Sequence, residues 1–137
     1  MVAILETQNL SRQFGKFKAV TDLSLQVQEG DIYGFLGLNG AGKTTTLRLC
    51  MRLIRPTAGG VKIFGEDIRT SFISIMKRVG ALVELPAYYP HLSARLNLEI
   101  LRLATGGLPA SRIDEVLDLV GLGERKDSRV GTFSQGM

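Results

Sequence analysis

The spacing of apolar residues predicts several β-strands. Over residues 22–28, Leu23, Leu25 and Val27 alternate with polar residues, as in a strand with one face in water. Residues 32–36 are apolar almost without interruption, which is typical of a strand covered on both faces of a parallel sheet. We therefore expect that strand to be central. The same criteria predict further strands at residues 2–9, 61–64 and 81–85, with a turn at residues 65–67 after the second of these.

Helical spacing begins after residue 42 and returns along the rest of the chain. Predicted helices cover residues 43–54, 71–78, 94–105 and 111–120. The first should end at RPTAGG, because proline and paired glycines cannot continue a helix. Ser93 is expected to cap the third helix, and Gly121 to end the fourth in the left-handed conformation. The apolar side of the second helix is expected to contain Phe72, Ile75, Met76 and Val79.

Composition fits one soluble globular domain, with 137 residues that are 45% hydrophobic and 22% charged. The net charge of +4 suits an anionic partner such as a nucleotide, a lipid headgroup or RNA, although on charge alone a slightly basic surface is the simpler interpretation. The single cysteine, Cys50, excludes an internal disulfide and fits the cytosol. No run approaches the ~18 apolar residues of a membrane-spanning helix, so we expect any membrane role to be peripheral.

The stretch GLNGAGKT, residues 37–44, matches the phosphate-loop pattern G-x-x-x-x-G-K-[ST] between a predicted strand and a predicted helix. Its glycines let consecutive amides point inward at phosphate oxygens, and the helix that follows adds the positive end of its dipole. Lys43 is expected to reach the β and γ phosphates as the candidate catalytic residue, and the Thr44 hydroxyl to ligate Mg²⁺. The alternative is a glycine-rich turn that caps an ordinary helix. Predicted phosphate-loop contacts are Gly37, Leu38, Asn39, Gly40, Ala41, Gly42, Lys43, Thr44 and Thr45.

Three further stretches narrow the class: SRQFGKFKAV before the second strand, VGALVELP at residues 79–86, and TFSQGM at residues 132–137. With the phosphate loop, they resemble the ATP-binding subunits of ABC transporters over essentially the whole chain. The resemblance implies an α/β fold, with a P-loop NTPase core, an N-terminal antiparallel β subdomain and a helical subdomain. We expect residues 1–137 to be a partial nucleotide-binding domain. Its β subdomain and core would occupy residues 1–85, and its helical subdomain residues 86–137.

In this family an aromatic residue followed by glycine stacks on adenine, and Phe14 takes that position before Gly15. A ring on a flat base gives affinity with little discrimination between purines, so ATP and GTP both remain open. Phe17 is a rival for the same role. The other interpretation of Phe14 is a core residue of the first strand.

The stretch VGALVELP resembles the Q-loop of the family, in which a glutamine reaches Mg²⁺. Glu84 occupies that position. A carboxylate is a negatively charged oxygen ligand, so it should hold Mg²⁺ more tightly than an amide does. With glutamate at this position, the chain resembles the members of the family that are associated with export of bacitracin-type and lantibiotic peptides. A solvated acid at a strand end is the other interpretation.

The last six residues resemble the signature motif, usually Leu-Ser-Gly-Gly-Gln, which closes over the γ phosphate held by a second subunit. The matching nucleotide contacts are Ser134, Gln135 and Gly136. Ser134 is a suitable helix N-cap, and Gly136 permits close approach. Gln135 replaces a glycine and adds a side chain where phosphate contact is expected, so the tight closure of the family is in doubt here.

The paired acids and the switch histidine of the family would lie beyond Met137, so we expect a piece truncated before the Walker B strand that binds ATP and Mg²⁺ but turns ATP over poorly. His91 is interpreted as a surface loop residue. If the family's strand order applies, residues 32–36 and 81–85 each lack a partner strand, which predicts self-association, rearrangement or local disorder.

The resemblance implies a transmembrane permease subunit and a second nucleotide-binding domain as partners, and no nucleic acid. The chain would then be cytoplasmic and peripheral at the inner face of the membrane. Tyr88 and Tyr89 are candidates for the permease contact, although they could equally cover the helical subdomain. Alternatives are a soluble nucleotide switch, or a phosphate-loop kinase, which leaves TFSQGM unexplained.

Overall fold

The computed structural model describes residues 3–83 and 88–137, and the chain divides into two compact units, Met1–Leu85 and Pro86–Met137. The first unit contains a four-stranded sheet in the order β2-β1-β3-β4, in which every neighbouring pair is antiparallel. The strands are β1 (Ala3–Phe14), β2 (Phe17–Gln28), β3 (Ala58–Ile63) and β4 (Glu66–Asp67).

Strands β1 and β2 form one long hairpin, in which Phe14 lies opposite Phe17. Gly15 has a φ of 56° and lets the chain turn between them. The predicted strands at 2–9 and 22–28 are confirmed within the described residues, but they were too short. Polar residues on both sides of the turn concealed the rest, because backbone pairing in a hairpin does not require apolar side chains.

Helices α1 (Lys43–Cys50) and α2 (Phe72–Met76) share a hydrophobic core with the sheet. Leu10 of β1, Leu49 of α1 and Ile75 of α2 are the largest fully buried side chains. The predicted apolar side of α2 is confirmed, because its remaining members pack partly buried against this core: Phe72, Met76 and Val79. Helix α2 is shorter than the predicted 71–78.

Helix α1 ends at Cys50, four residues before the predicted end at residue 54. Arg52 has a φ of 53°, a left-handed conformation that no α-helix can contain. The amides of Leu53 and Ile54 both donate to the carbonyl oxygen of Arg48, which closes the last turn. The helix therefore stops before Pro56, not at it.

The prediction of a buried central strand at residues 32–36 is wrong. This segment has no regular secondary structure, and Ile32 and Leu36 are 102% and 93% exposed. A strand needs hydrogen bonds from a neighbour, and no strand of the described residues pairs with the segment. The missing partner agrees with the expectation drawn from the family's strand order. Residues 81–83 are likewise not a strand, and residues 84–85 lie outside the described residues.

Two smaller corrections concern the segment after α1. Strand β3 begins at Ala58, three residues before the predicted start, because it pairs with β1 from Ser11 onward. The predicted turn at residues 65–67 instead lies at Phe64 and Gly65, with φ angles of 52° and 78°, and Glu66 already pairs with Ile63.

The second unit is built on helices α3 (Ala94–Thr105) and α4 (Ser111–Leu119). Ser93 caps α3 as predicted, with its hydroxyl accepting from the Leu96 amide at 3.2 Å. Gly121 has the predicted left-handed conformation, with a φ of 71°. The buried residues of this unit's core are Ala94, Ile113 and Leu117. Among the helices of the described residues, none is long and apolar enough to cross a membrane.

Candidate phosphate-binding site

The phosphate loop lies between residues 32–36 and α1, and Gly42 is the residue at which the chain enters the helix. Gly42 has a φ of 91°, and a Cβ at this position would overlap the carbonyl oxygen of Ala19 in β2. The loop is therefore held against the hairpin at a distance that only glycine allows. Gly40 also has a positive φ, of 84°, which supports the predicted turn of the loop.

The N-terminus of α1 is open to an anion. Its N-cap residue, Gly42, makes no side-chain cap, and no acidic residue occupies the first turn. The Thr46 amide donates to the carbonyl oxygen of Gly42 at 2.8 Å, which is the bond that begins the helix. The preceding amides have no intrahelical acceptor, and the helix dipole places partial positive charge at this end.

Lys43 crosses the loop from the start of α1. Its Nζ donates to the carbonyl oxygens of Gly37 at 2.5 Å and Leu38 at 2.8 Å. The loop is closed by a further backbone bond from Ala41 to the Leu38 carbonyl at 3.1 Å. The ammonium group of Lys43 therefore lies next to the backbone of the loop. A phosphate bound there would contact both this group and the amides at the start of α1.

A cavity of about 280 Å³ opens beside this helix end. It is lined by Phe17, Ala19, Asn39, Gly40, Gly42, Lys43, Thr44 and Thr45. The structure therefore gathers most of the predicted phosphate contacts around one space. Gly37, Leu38 and Ala41 do not line the cavity. The carbonyl oxygens of Gly37 and Leu38 instead accept hydrogen bonds from Lys43. A larger cavity of about 520 Å³ lies at the other end of α1 and includes none of these residues.

The two candidate aromatic residues form a cross-strand pair at the end of the hairpin. Residues directly opposite in an antiparallel pair have neighbouring side chains, and Phe14 lies opposite Phe17 in the register. Phe17 lines the cavity and Phe14 does not. Phe14 is 43% exposed, which argues against a core role, and the Arg12 guanidinium lies 4.4 Å from its ring centroid.

Of the predicted metal ligands, Thr44 lines the cavity, whereas Glu84 lies outside the described residues. In the described part of the chain, no group of His, Cys, Asp and Glu is arranged to hold a metal by itself. A hydroxyl beside a phosphate cradle fits Mg²⁺, because this ion keeps several waters and takes few protein ligands when phosphate oxygens complete its shell.

The signature-like residues lie in the second unit. Ser134, Gln135 and Gly136 are exposed and form a turn in which the Met137 amide donates to the Ser134 carbonyl at 3.1 Å. Phe133, just before them, packs against the core of this unit. His91 is exposed, as expected, with its ring edge-on to Tyr89.

Sequence reasoning missed Asn97 and Gly131, which organise the loop before α3 and the segment before Ser134. Asn97 is buried, and its side-chain amide accepts from the Tyr89 amide and donates to the Tyr89 carbonyl oxygen. A polar residue on the apolar side of a predicted helix was the available signal, because a buried amide must find partners. No local signal marks Gly131, since its role depends on a distant carbonyl.

This fold and site define a P-loop nucleotide-binding protein of α/β type, with an antiparallel β sheet and a separate helical unit. Residues 20–137 match the ABC transporter family, and the chain belongs to that family. A solved structure described as an ATP binding subunit of an ABC transporter superposes with a TM-score of 0.82 and 28% identity, over 98% of this chain and 57% of that one.

Two curated relatives are exporter or transport proteins by name. The chain is 46% identical over 137 residues to the bacitracin transport ATP-binding protein BcrA of Bacillus licheniformis. The match covers all of this chain and 45% of that protein. It is 36% identical over 140 residues to the Nod factor export ATP-binding protein I of Cupriavidus metallidurans, covering 46% of that protein. The chain thus spans slightly less than half the length of these relatives.

Proposed function

We propose that the chain is the ATP-binding part of an ABC exporter subunit, in which nucleotide binding closes two such domains and acts on a membrane permease. The observation that carries this proposal is the cradle at Gly42. The start of α1 is held against β2 there, and the uncapped helix end, Lys43 and Thr44 face one cavity. Export as the direction of transport is supported by the name of the Nod factor export relative and by Glu84.

In this proposal the phosphates of ATP lie against the amides at the start of α1, and Lys43 turns from its two carbonyl acceptors toward the β and γ phosphates. Thr44 and Glu84 hold Mg²⁺, which neutralises phosphate charge when bound. Phe14 and Phe17 offer the base a two-ring surface at the end of the hairpin.

The second unit supplies the contacts with partners. Ser134, Gln135 and Gly136 close over the nucleotide of a second nucleotide-binding domain. Tyr88 and Tyr89, each about half exposed, contact the permease, since large rings with a polar tip are favoured at the centres of interfaces. This arrangement would place the protein at the cytoplasmic face of the membrane.

ATP affinity of the chain, measured by calorimetry with and without Mg²⁺, tests the cradle. Lys43→Ala should weaken binding about 10- to 100-fold, because a hydrogen bond to a charged group contributes about 1.5–3 kcal/mol. Lys77→Ala is the matched control, since Lys77 is exposed and does not line the cavity. Equal affinity in the two variants would refute the phosphate assignment.

Two further comparisons test the remaining contacts. Glu84→Gln should reduce the gain in affinity that Mg²⁺ gives, while leaving binding without metal unchanged or tighter. Phe17→Ala should weaken ATP binding more than Phe14→Ala, because only Phe17 lines the cavity. The opposite order would assign the stacking role to Phe14, as the family pattern does.

A further inference from the structure

The loop before α3 and the segment before the signature-like turn are joined by backbone hydrogen bonds. The Gly131 amide donates to the Pro90 carbonyl at 2.9 Å, and the Val130 amide donates to the Leu92 carbonyl at 3.0 Å. Ser93 and Arg129 form an antiparallel bridge next to them. We call the paired segments 90–93 and 129–131 the clasp. It connects residues far apart in sequence within the second unit.

Gly131 sets how closely the two halves of the clasp approach. A Cβ on this residue would lie 2.9 Å from the Pro90 carbonyl oxygen and 3.3 Å from the Pro90 Cβ. The nearest obstacle is backbone, which cannot rotate away as a flexible side chain can. Any larger residue at 131 must therefore push residue 90 and its loop outward.

Asn97 fixes the loop side of the clasp from within α3. Its Oδ1 accepts from the Tyr89 amide at 2.8 Å, and its Nδ2 donates to the carbonyl oxygens of Tyr89 at 3.1 Å and Ser93 at 3.0 Å. The residue is only 9% exposed, so these bonds are shielded from water. Asn97 thereby holds the backbone of residues 88–92, which we call the tyrosine loop, on the helix.

The signature-like turn begins directly after the clasp and ends at Met137, whose Sδ accepts from the Arg125 guanidinium at 3.6 Å. The Phe133 amide donates to the Val130 carbonyl at 2.9 Å, and its ring packs against the core and lies 5.8 Å from the Arg125 guanidinium. Ser134, Gln135 and Gly136 are all exposed. Their position is therefore set by Phe133 before them, which follows the clasp directly, and by Met137 after them.

We propose that Gly131 and Asn97 are positioning residues, which hold the tyrosine loop and the signature-like turn as one body. A displacement of Tyr88 and Tyr89 then moves Ser134 with them. The positional claim concerns the second unit alone, and its consequence for nucleotide-driven closure rests on the proposed function. Neither residue touches nucleotide in this account.

A distance measurement in the whole chain tests the claim. Spin labels are placed at Tyr88→Cys and Gln135→Cys in a Cys50→Ala background, and the distribution of distances between them is measured by pulsed electron resonance. The parent should give one narrow distribution. Gly131→Ala should broaden it or shift its mean, whereas Gly107→Ala should not, because a Cβ at 107 meets nothing within 4 Å.

Asn97→Asp is the second variant, for the case in which Gly131→Ala fails to fold. It keeps the size of the side chain and the acceptor for the Tyr89 amide, but it loses both donors. It should broaden the distribution as well. The distance distribution of either variant is interpreted only if its helix content by circular dichroism matches that of the parent. Distributions equal to the Gly107→Ala control in both variants would overturn the proposal.

The same variants separate this inference from the proposed function. ATP affinity should change less than about twofold in Gly131→Ala, because the phosphate loop belongs to the other unit. Nucleotide-dependent association of two copies should fall relative to Gly107→Ala. A parent chain that fails to bind ATP would refute the proposed function while leaving the distance result standing.

Discussion

Individual residues of this chain differ in how much of their role is local. The Ser93 cap and the left-handed Gly121 follow from their own position at a helix end, and both were predicted. Gly42 was predicted from the motif, but its contact with Ala19 requires the hairpin to lie beside the loop. Cys50 was predicted only as a lone thiol, whereas its burial in the core decides its chemistry.

The Cys50 thiol should be unreactive in the folded chain. Burial disfavours the thiolate and raises its pKa to about 11, and the residue is 3% exposed. Alkylation by iodoacetamide at pH 8 should be at least ~100-fold slower than that of a free thiol, and should reach the free rate in urea. Rapid labelling of the native chain would contradict this burial.

The raised pKa also predicts a pH dependence of stability. In the unfolded chain the Cys50 thiol loses its proton near pH 9.0, but burial raises its pKa in the folded chain to about 11. Its contribution to the free energy of unfolding is therefore complete below pH 9 and is lost as the pH rises toward 11. Urea denaturation of the parent and Cys50→Ala should show a difference that depends on pH only in this range.

At the scale of elements, most strands and helices were predicted, whereas several of their ends were not. The two strands of the hairpin and the apolar side of α2 follow from periodicity, because the spacing of apolar residues along one segment indicates which of its side chains can be buried together. The ends of α1 and β3 depend on contacts between distant segments. Strand β3 starts where Ala58 pairs with Ser11, which no pattern near residue 58 could reveal.

Gly59 is the residue that this β1–β3 contact requires. Its φ is 77°, and a Cβ there would overlap the carbonyl oxygens of Gln8 and Asn9. The register also shifts between Gln8 and Ser11. Gly59→Ala should lower the free energy of unfolding by about 2 kcal/mol or more, from the left-handed backbone and the overlap together. Urea denaturation followed by circular dichroism measures this change.

The adjacent glycine provides the control for that substitution. Gly60 has no positive φ, and a Cβ there would meet only the end of the Arg69 side chain at 3.9 Å. Gly60→Ala should therefore leave stability unchanged or raise it slightly, since alanine restricts the unfolded chain. Similar losses in the two variants would mean that β1 and β3 do not approach as closely as described.

At the scale of the whole molecule, residues 32–36 combine the strongest strand signal in the sequence with no strand in the structure. Both apolar ends of the segment, Ile32 and Leu36, are almost fully exposed. An exposed segment with apolar side chains and unpaired backbone N–H and C=O groups is a template for pairing with another chain. The expected consequence is association between copies of the chain.

Light scattering should give a mass above the 14.9 kDa of one chain at micromolar concentration. The double variant Ile32→Lys with Leu36→Lys should shift the chain toward the monomer, because charges on an unpaired edge prevent strand addition. Ile73→Lys is the control, as it changes an exposed isoleucine in α2. A parent chain that is monomeric and melts cooperatively would refute the expectation.

The sequence by itself determined the features that depend on near neighbours: the phosphate-loop glycines, the Ser93 cap, the alternation of apolar residues in β2 and the amphipathic helices. Dihedral preferences and side-chain periodicity act over a few residues, so they can be recognised in a single amino-acid sequence. Only the tertiary structure decided that Gly42 lies on Ala19, that Phe17 lines the cavity, that Gly131 meets Pro90 and that residues 32–36 have no partner. These outcomes depend on which distant backbone groups come together, and no local pattern contains that information.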